Sequence, residues 1–207
     1  MTITVSAIYD DATDAHRAVR DLVDNGFRRD RISVVASDAA GNFVEYHGKS
    51  IPDEDGLEGA VAGALLGGLG GLVVGLAALA VPGVGPVLAA GPIASAIVGA
   101  GVGAVTGSLI GALIDLGIEE TAAEYYAEGV RRGGTLVTVQ TEPGQAELAL
   151  ALLDRHNPVD LEERAGRWRE RGWEGFDPQA GALTIDELDQ IRARTGASLP
   201  ETNPIDR

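Results

Sequence analysis

Residues 59–114 read GAVAGALLGGLGGLVVGLAALAVPGVGPVLAAGPIASAIVGAGVGAVTGSLIGALI, 56 consecutive positions without Asp, Glu, Lys, Arg or His. The run breaks at Pro82-Gly-Val-Gly-Pro86. That leaves two arms of 23 residues, Gly59–Val81 and, after Gly91, Pro92–Ile114. As α-helix each arm measures about 34 Å, against ~30 Å of bilayer hydrocarbon. Gly59, Gly63, Gly67, Gly71 and Gly75 recur every fourth residue in the first arm, and Gly99, Gly103, Gly107 and Gly111 in the second. A glycine inside a helix costs about 1 kcal/mol relative to Ala, a loss that close approach of a neighbouring backbone offsets. The spacing predicts a glycine-zipper helical hairpin over residues 57–116, turning at Pro82, Gly83, Gly85 and Pro86.

An arm without a polar face has no side suited to water. Two environments meet that condition: a lipid bilayer, with both flanking halves in the cytoplasm, or the core of a homo-oligomer. Arm length favours the bilayer. The flanks oppose it, because Asp53, Glu54, Asp55 and Glu58 precede the run, Asp115, Glu119 and Glu120 follow it, and no aromatic lies between Tyr46 and Tyr125. The expectation is a self-associating protein at the cytoplasmic membrane, with a cytoplasmic soluble assembly as the alternative.

The flanks read as mixed α and β. Ile3, Val5 and Ala7 alternate with Thr4, Ser6 and Ile8 as in a strand. Ala15, Val19, Leu22 and Val23 form a helical stripe stopped by Asn25-Gly26, and Ile32 to Ala36 is a β-branched second strand. Phe43 to Tyr46 reads as a further short strand. After the run, Glu119–Arg132 reads as a connecting helix and Leu136, Val137 and Val139 as a strand. Ala146, Ala149, Leu150 and Leu153 read as a helix ended by Asn157-Pro158, and Val159 and Leu161 as a last strand. Two strand–helix–strand halves, 1–50 and 117–165, compose an α+β, ferredoxin-like split βαβ domain interrupted by the hairpin. The tail, 166–207, carries Trp168, Trp173 and Phe176 without a sustained period. Those aromatics either fold back on the domain or form a docking peptide. Thr184-Ile-Asp-Glu187 is a capping box, and Gly196–Arg207 is expected to be disordered.

A formal net charge of −15 argues against sequence-independent nucleic-acid binding, which needs basic residues to neutralise phosphates, and no nucleic-acid partner is expected. Without cysteine there are no disulfides, thiolate nucleophiles or cysteine-based zinc sites. His16, His47 and His156 lack metal-ligand spacing. The Gly99–Ala104 segment fits a dinucleotide fingerprint only in letters, since neither a preceding strand nor a following acid accompanies it. Gly48-Lys49-Ser50 lacks the first glycine of a phosphate loop, with Phe43 in its place. The Asp53–Glu58 cluster reads as favourable charge at a helix start. No catalytic, cofactor-binding or metal site is expected, and the chain is not expected to be an enzyme. A small-ligand sensor using the sheet face is a third reading.

Ile8-Tyr-Asp-Asp-Ala-Thr-Asp-Ala15, Ala18-Val-Arg-Asp-Leu22, Asn25-Gly-Phe27 and Ile32-Ser-Val-Val35 resemble the general stress protein 17M-like (YflT-type) domain family. Val81-Pro-Gly-Val-Gly-Pro-Val-Leu-Ala-Ala-Gly-Pro92 and Tyr125-Tyr-Ala-Glu-Gly-Val-Arg-Arg-Gly-Gly134 are similar to longer bacterial members, labelled stress- or low-temperature-induced. The resemblance covers roughly residues 1–177. It implies a bacterial general stress-response protein without enzymatic activity, and it brings no catalytic residues.

Overall fold

The computed structural model describes residues 2–37, 77–81, 83–99, 109–180 and 183–195. β1 (Ile3–Tyr9) leads into α1 (Ala12–Asp24), whose first turn is capped by the Asp11 carboxylate accepting from the Thr13 amide at 2.7 Å. Asn25 and Gly26, the latter at φ +89°, close the helix, and β2 (Ile32–Ser37) follows.

β3 (Ala77–Val81) and β4 (Gly85–Ala90) come next, then α2 (Pro92–Gly99) and α3 (Leu109–Asp115). α4 (Glu120–Arg131) precedes β5 (Thr135–Thr141), and α5 (Ala146–Asp154), α6 (Leu161–Glu170) and α7 (Ile185–Thr195) complete the chain.

The five strands form one antiparallel sheet in the order β1-β5-β2-β4-β3. β5 pairs with β1 on one side (Ala7 opposite Val137) and with β2 on the other (Val34 opposite Val137). β1 and β2 therefore run parallel, joined through α1 and separated by β5.

Both faces of the sheet are covered. Residues in register share a face, so Ala7, Val137, Val34 and Ala90 meet Ala15, Val19 and Leu22 of α1 and Leu152 and Leu153 of α5. The opposite row, Ile8, Leu136, Val35 and Ala89, meets Ile93 and Ile97 of α2, Leu109 and Leu113 of α3, and Ala123 and Ala127 of α4.

This second core corrects the expected transmembrane hairpin. Residues 77–81 are a strand, not the end of a helix; this strand pairs with Gly85–Ala90 as a β-hairpin that turns through Gly83 and Val84. The described part of the second arm is two short helices of 8 and 7 residues. Among the described residues no helix is long and apolar enough to cross a membrane. The uncharged side chains have a physical reason other than lipid: Val81, Val87, Ile93, Leu109 and Leu113 are buried against the chain's own sheet. Gly59, Gly63, Gly67, Gly71, Gly75, Gly103 and Gly107 lie outside the described residues. Gly99 ends α2 and Gly111 lies in α3, and a glycine-zipper packing of the ladder has no support.

The expected last strand is also corrected. Leu161 opens α6, and the Val159 amide donates one hydrogen bond, 2.8 Å, to the Ile8 carbonyl. Asn157, at φ +59°, turns the chain there, and Pro158 has no amide to extend a ladder. Phe43–Tyr46 and the disorder expected from 196 onward lie outside the described residues. The connecting helix and the capping box stand where expected. The Thr184 amide and hydroxyl each donate to Glu187 Oε2 at 2.8 Å, and the Glu187 amide returns a bond to Thr184 Oγ at 3.4 Å.

Candidate functional site

The C-terminal end of α4, the Gly133-Gly134 turn and the tip of β1 form one wall of a cleft of about 590 Å³, and α6 forms the other. α6 begins at Asp160, whose carboxylate accepts from the Glu163 amide at 2.9 Å. Arg164, Arg167, Trp168 and Arg171 follow at the i, i+3, i+4, i+7 spacing of one helix face and all line the cleft. Ile191 of α7 closes another side.

The floor is shaped by glycine. A Cβ on Gly129 would stand 2.5 Å from Ile8 Cδ1, and one on Gly134 would stand 3.0 Å from it. The end of the Ile8 side chain therefore packs closely on the backbone of α4 and of the following turn, in space that both glycines leave open.

The arginines are held differently. Arg164 places its terminal nitrogens on Asp10 at 2.9 and 2.7 Å, a bidentate pair that leaves its buried Nε–H without a partner. Arg132 donates from Nε to Glu128 at 2.6 Å, and its guanidinium lies 4.9 Å from the Trp168 ring centroid. Arg131 donates two further bonds to Glu128, at 2.9 and 3.0 Å. Glu128 is only 1% exposed, and this double clamp is what makes a buried carboxylate tenable. Arg167 stands 3.8 Å from Glu163, half exposed, and Arg171 pairs with no acid among the described residues.

The tail aromatics divide between the cleft and the second core. Trp168 is 5% exposed and meets Trp173 edge-on, with ring centroids 5.7 Å apart. Trp173 also meets Tyr125 at 5.9 Å, and its indole N–H is buried without a partner. Arg169 lies over Tyr125, 4.9 Å from the ring centroid, and donates to its hydroxyl. Phe176 joins the second core beside the β3–β4 turn, where a Cβ on Gly83 would stand 2.8 Å from its ring. Trp168 and Trp173 thus share the cleft, and Phe176 does not line it.

Gly83, Gly85 and Pro86 are not among the residues that line this cleft, and Pro82 lies outside the described residues. His156 bonds Asp21 at 2.8 Å across α1 and α5, far in sequence from any other histidine. Among the described residues no cluster of three or more His, Asp or Glu is placed to hold a metal ion; Asp53, Glu54, Asp55 and Glu58 lie outside them. A second cleft, about 560 Å³, lies at the opposite end of the sheet near Phe27, Arg28 and Gln140. Arg28 is committed there to Asp30 at 2.5 Å.

The arginine stripe is absent from the expectations drawn from sequence. The tail shows no apolar period, but a cationic one was there to be counted in Arg164, Arg167 and Arg171. Comparison of the chain with family models, with curated proteins and with solved structures returns no match, so a bacterial stress role gains no support from relatives.

Proposed function

We propose that this chain is a small-ligand-binding module, a sensor or carrier that takes its ligand in the cleft between α4 and α6. One observation carries this reading. A concave site of ligand size is lined by Trp168, Trp173 and four arginines, two of which, Arg167 and Arg171, are exposed and not tightly paired with an acid among the described residues. Binding sites combine an apolar wall with a few convergent polar groups in this way.

The frame fits such a role. The β1–α1–β2 crossover split by β5, with α5 beside α1, supports reading it as a ferredoxin-like core whose fourth strand is reduced to the Val159–Ile8 bond. The sheet face itself is filled by α2, α3 and α4, so the ligand is placed at the sheet's edge and not on its face. The function is binding and requires no catalytic step.

The reading is tested on the full chain with a library of anionic, cationic and neutral metabolites, following tryptophan fluorescence and thermal unfolding together. At a hundredfold excess over Kd a ligand adds about 2.7 kcal/mol of stability, visible as a saturable rise in Tm. A library without one saturable ligand, combined with native mass spectra free of any co-purified small molecule, overturns it.

A further inference from the structure

The cleft's chemistry narrows the class of ligand, an inference that rests on the binding role proposed above. We infer that the cleft selects an organic anion with an apolar body. In a chain of net charge −15, the residues lining this one cleft include Arg132, Arg164, Arg167 and Arg171 against a single carboxylate, Asp10.

Not all of that charge is available. Asp10 engages Arg164, and Glu128 engages Arg132. Arg167 is held only loosely at 3.8 Å, and Arg171 pairs with no acid among the described residues. These two guanidiniums belong to residues one helical turn apart at the C-terminal end of α6, at the mouth of the cleft. A guanidinium pair of this kind receives a carboxylate, sulfonate or phosphate through charge-assisted hydrogen bonds.

Beside these arginines the cleft carries an apolar wall of Ile8, Val159, Leu161, Ile191 and Trp168. A bare inorganic anion leaves that wall wet. A neutral apolar molecule leaves the mouth charges unused. An organic anion satisfies both.

The probe is 1-anilinonaphthalene-8-sulfonate, an apolar ring system with one sulfonate, read by its fluorescence on the full chain. Its neutral counterpart is N-phenyl-1-naphthylamine. The sulfonate probe is expected to bind saturably, and the double charge reversal R167E/R171E to weaken it at least tenfold while the neutral probe is unaffected. Inorganic sulfate at equal concentration is expected not to displace the sulfonate probe.

Unchanged Tm confirms that the double variant is folded, since both arginines are surface-placed. Equal binding of the two probes, or sulfonate binding indifferent to R167E/R171E, overturns the anion assignment and leaves the binding module standing. Failure of both probes together with a metabolite library without a hit overturns both.

Discussion

The carboxylate of Glu128 and the guanidinium of Arg132 meet at 2.6 Å one helical turn apart, and the same guanidinium lies 4.9 Å from the Trp168 ring centroid. A buried acid thereby fixes a cation, and the cation fixes the aromatic wall of the cleft. Glu128→Ala leaves two guanidiniums without their shared counter-ion. We expect a loss of about 3 kcal/mol in urea unfolding, with Glu128→Gln losing less. A loss under about 1 kcal/mol contradicts the clamp.

Leu113 and Ile114 adjoin in α3, one fully buried and the other 41% exposed. Leu113→Ala is expected to cost about 2–5 kcal/mol by leaving a cavity in the second core, and Ile114→Ala at most about 0.5 kcal/mol. Equal effects of the two substitutions contradict the packing of this uncharged arm on the sheet.

Gly91 joins β4 to α2 at φ +79°, and a Cβ there would stand 2.1 Å from the Ile32 carbonyl oxygen. Gly91→Ala combines left-handed strain with a backbone clash and is expected to cost at least about 3 kcal/mol. Gly26 has a similar φ of +89° but open space around it. Gly26→Ala should cost about 1 kcal/mol, the strain alone. Thermal unfolding of the pair separates the two contributions.

Alkaline pH should unfold the protein through its buried tyrosines. Burial pushes Tyr126 up to about 12, and Tyr9 is raised by burial and then by Asp154 and Asp14. In the unfolded chain both ionise near ~10. The folded state keeps its protons where the unfolded state has lost them. This stability is therefore fully present below about pH 10 and disappears as pH climbs toward 12. For Tyr126 alone the effect is roughly 2 kcal/mol. Tyr126→Phe should flatten the decline while losing the bond its hydroxyl donates to the Ser6 carbonyl, 3.1 Å. A stability curve level from pH 9 to 12 contradicts this account.

Local chemistry was legible in the residues. Asn25-Gly26 stops α1, Gly133-Gly134 separates α4 from β5, and Thr184 with Glu187 opens α7, because caps and left-handed turns depend on side chains within a few positions. The strand–helix–strand order of the N-terminal half and the helix over Glu120–Arg131 follow from hydrophobic period and stop signals of the same short range.

The environment of the uncharged run was not legible. The absence of charge demanded burial but did not name the partner, and lipid, a second copy or the chain's own sheet satisfy the demand equally. The tertiary structure decided it for the described residues, by pairing Val34–Ser37 with Val87–Ala90 and laying α2 and α3 across the face that Ile8, Leu136 and Val35 present. The cleft was decided there too. Arg164 and Asp10 are 154 residues apart, and only the fold brings them to 2.7 Å. Residue type sets what must be hidden from water; what hides it depends on contacts that no local pattern encodes.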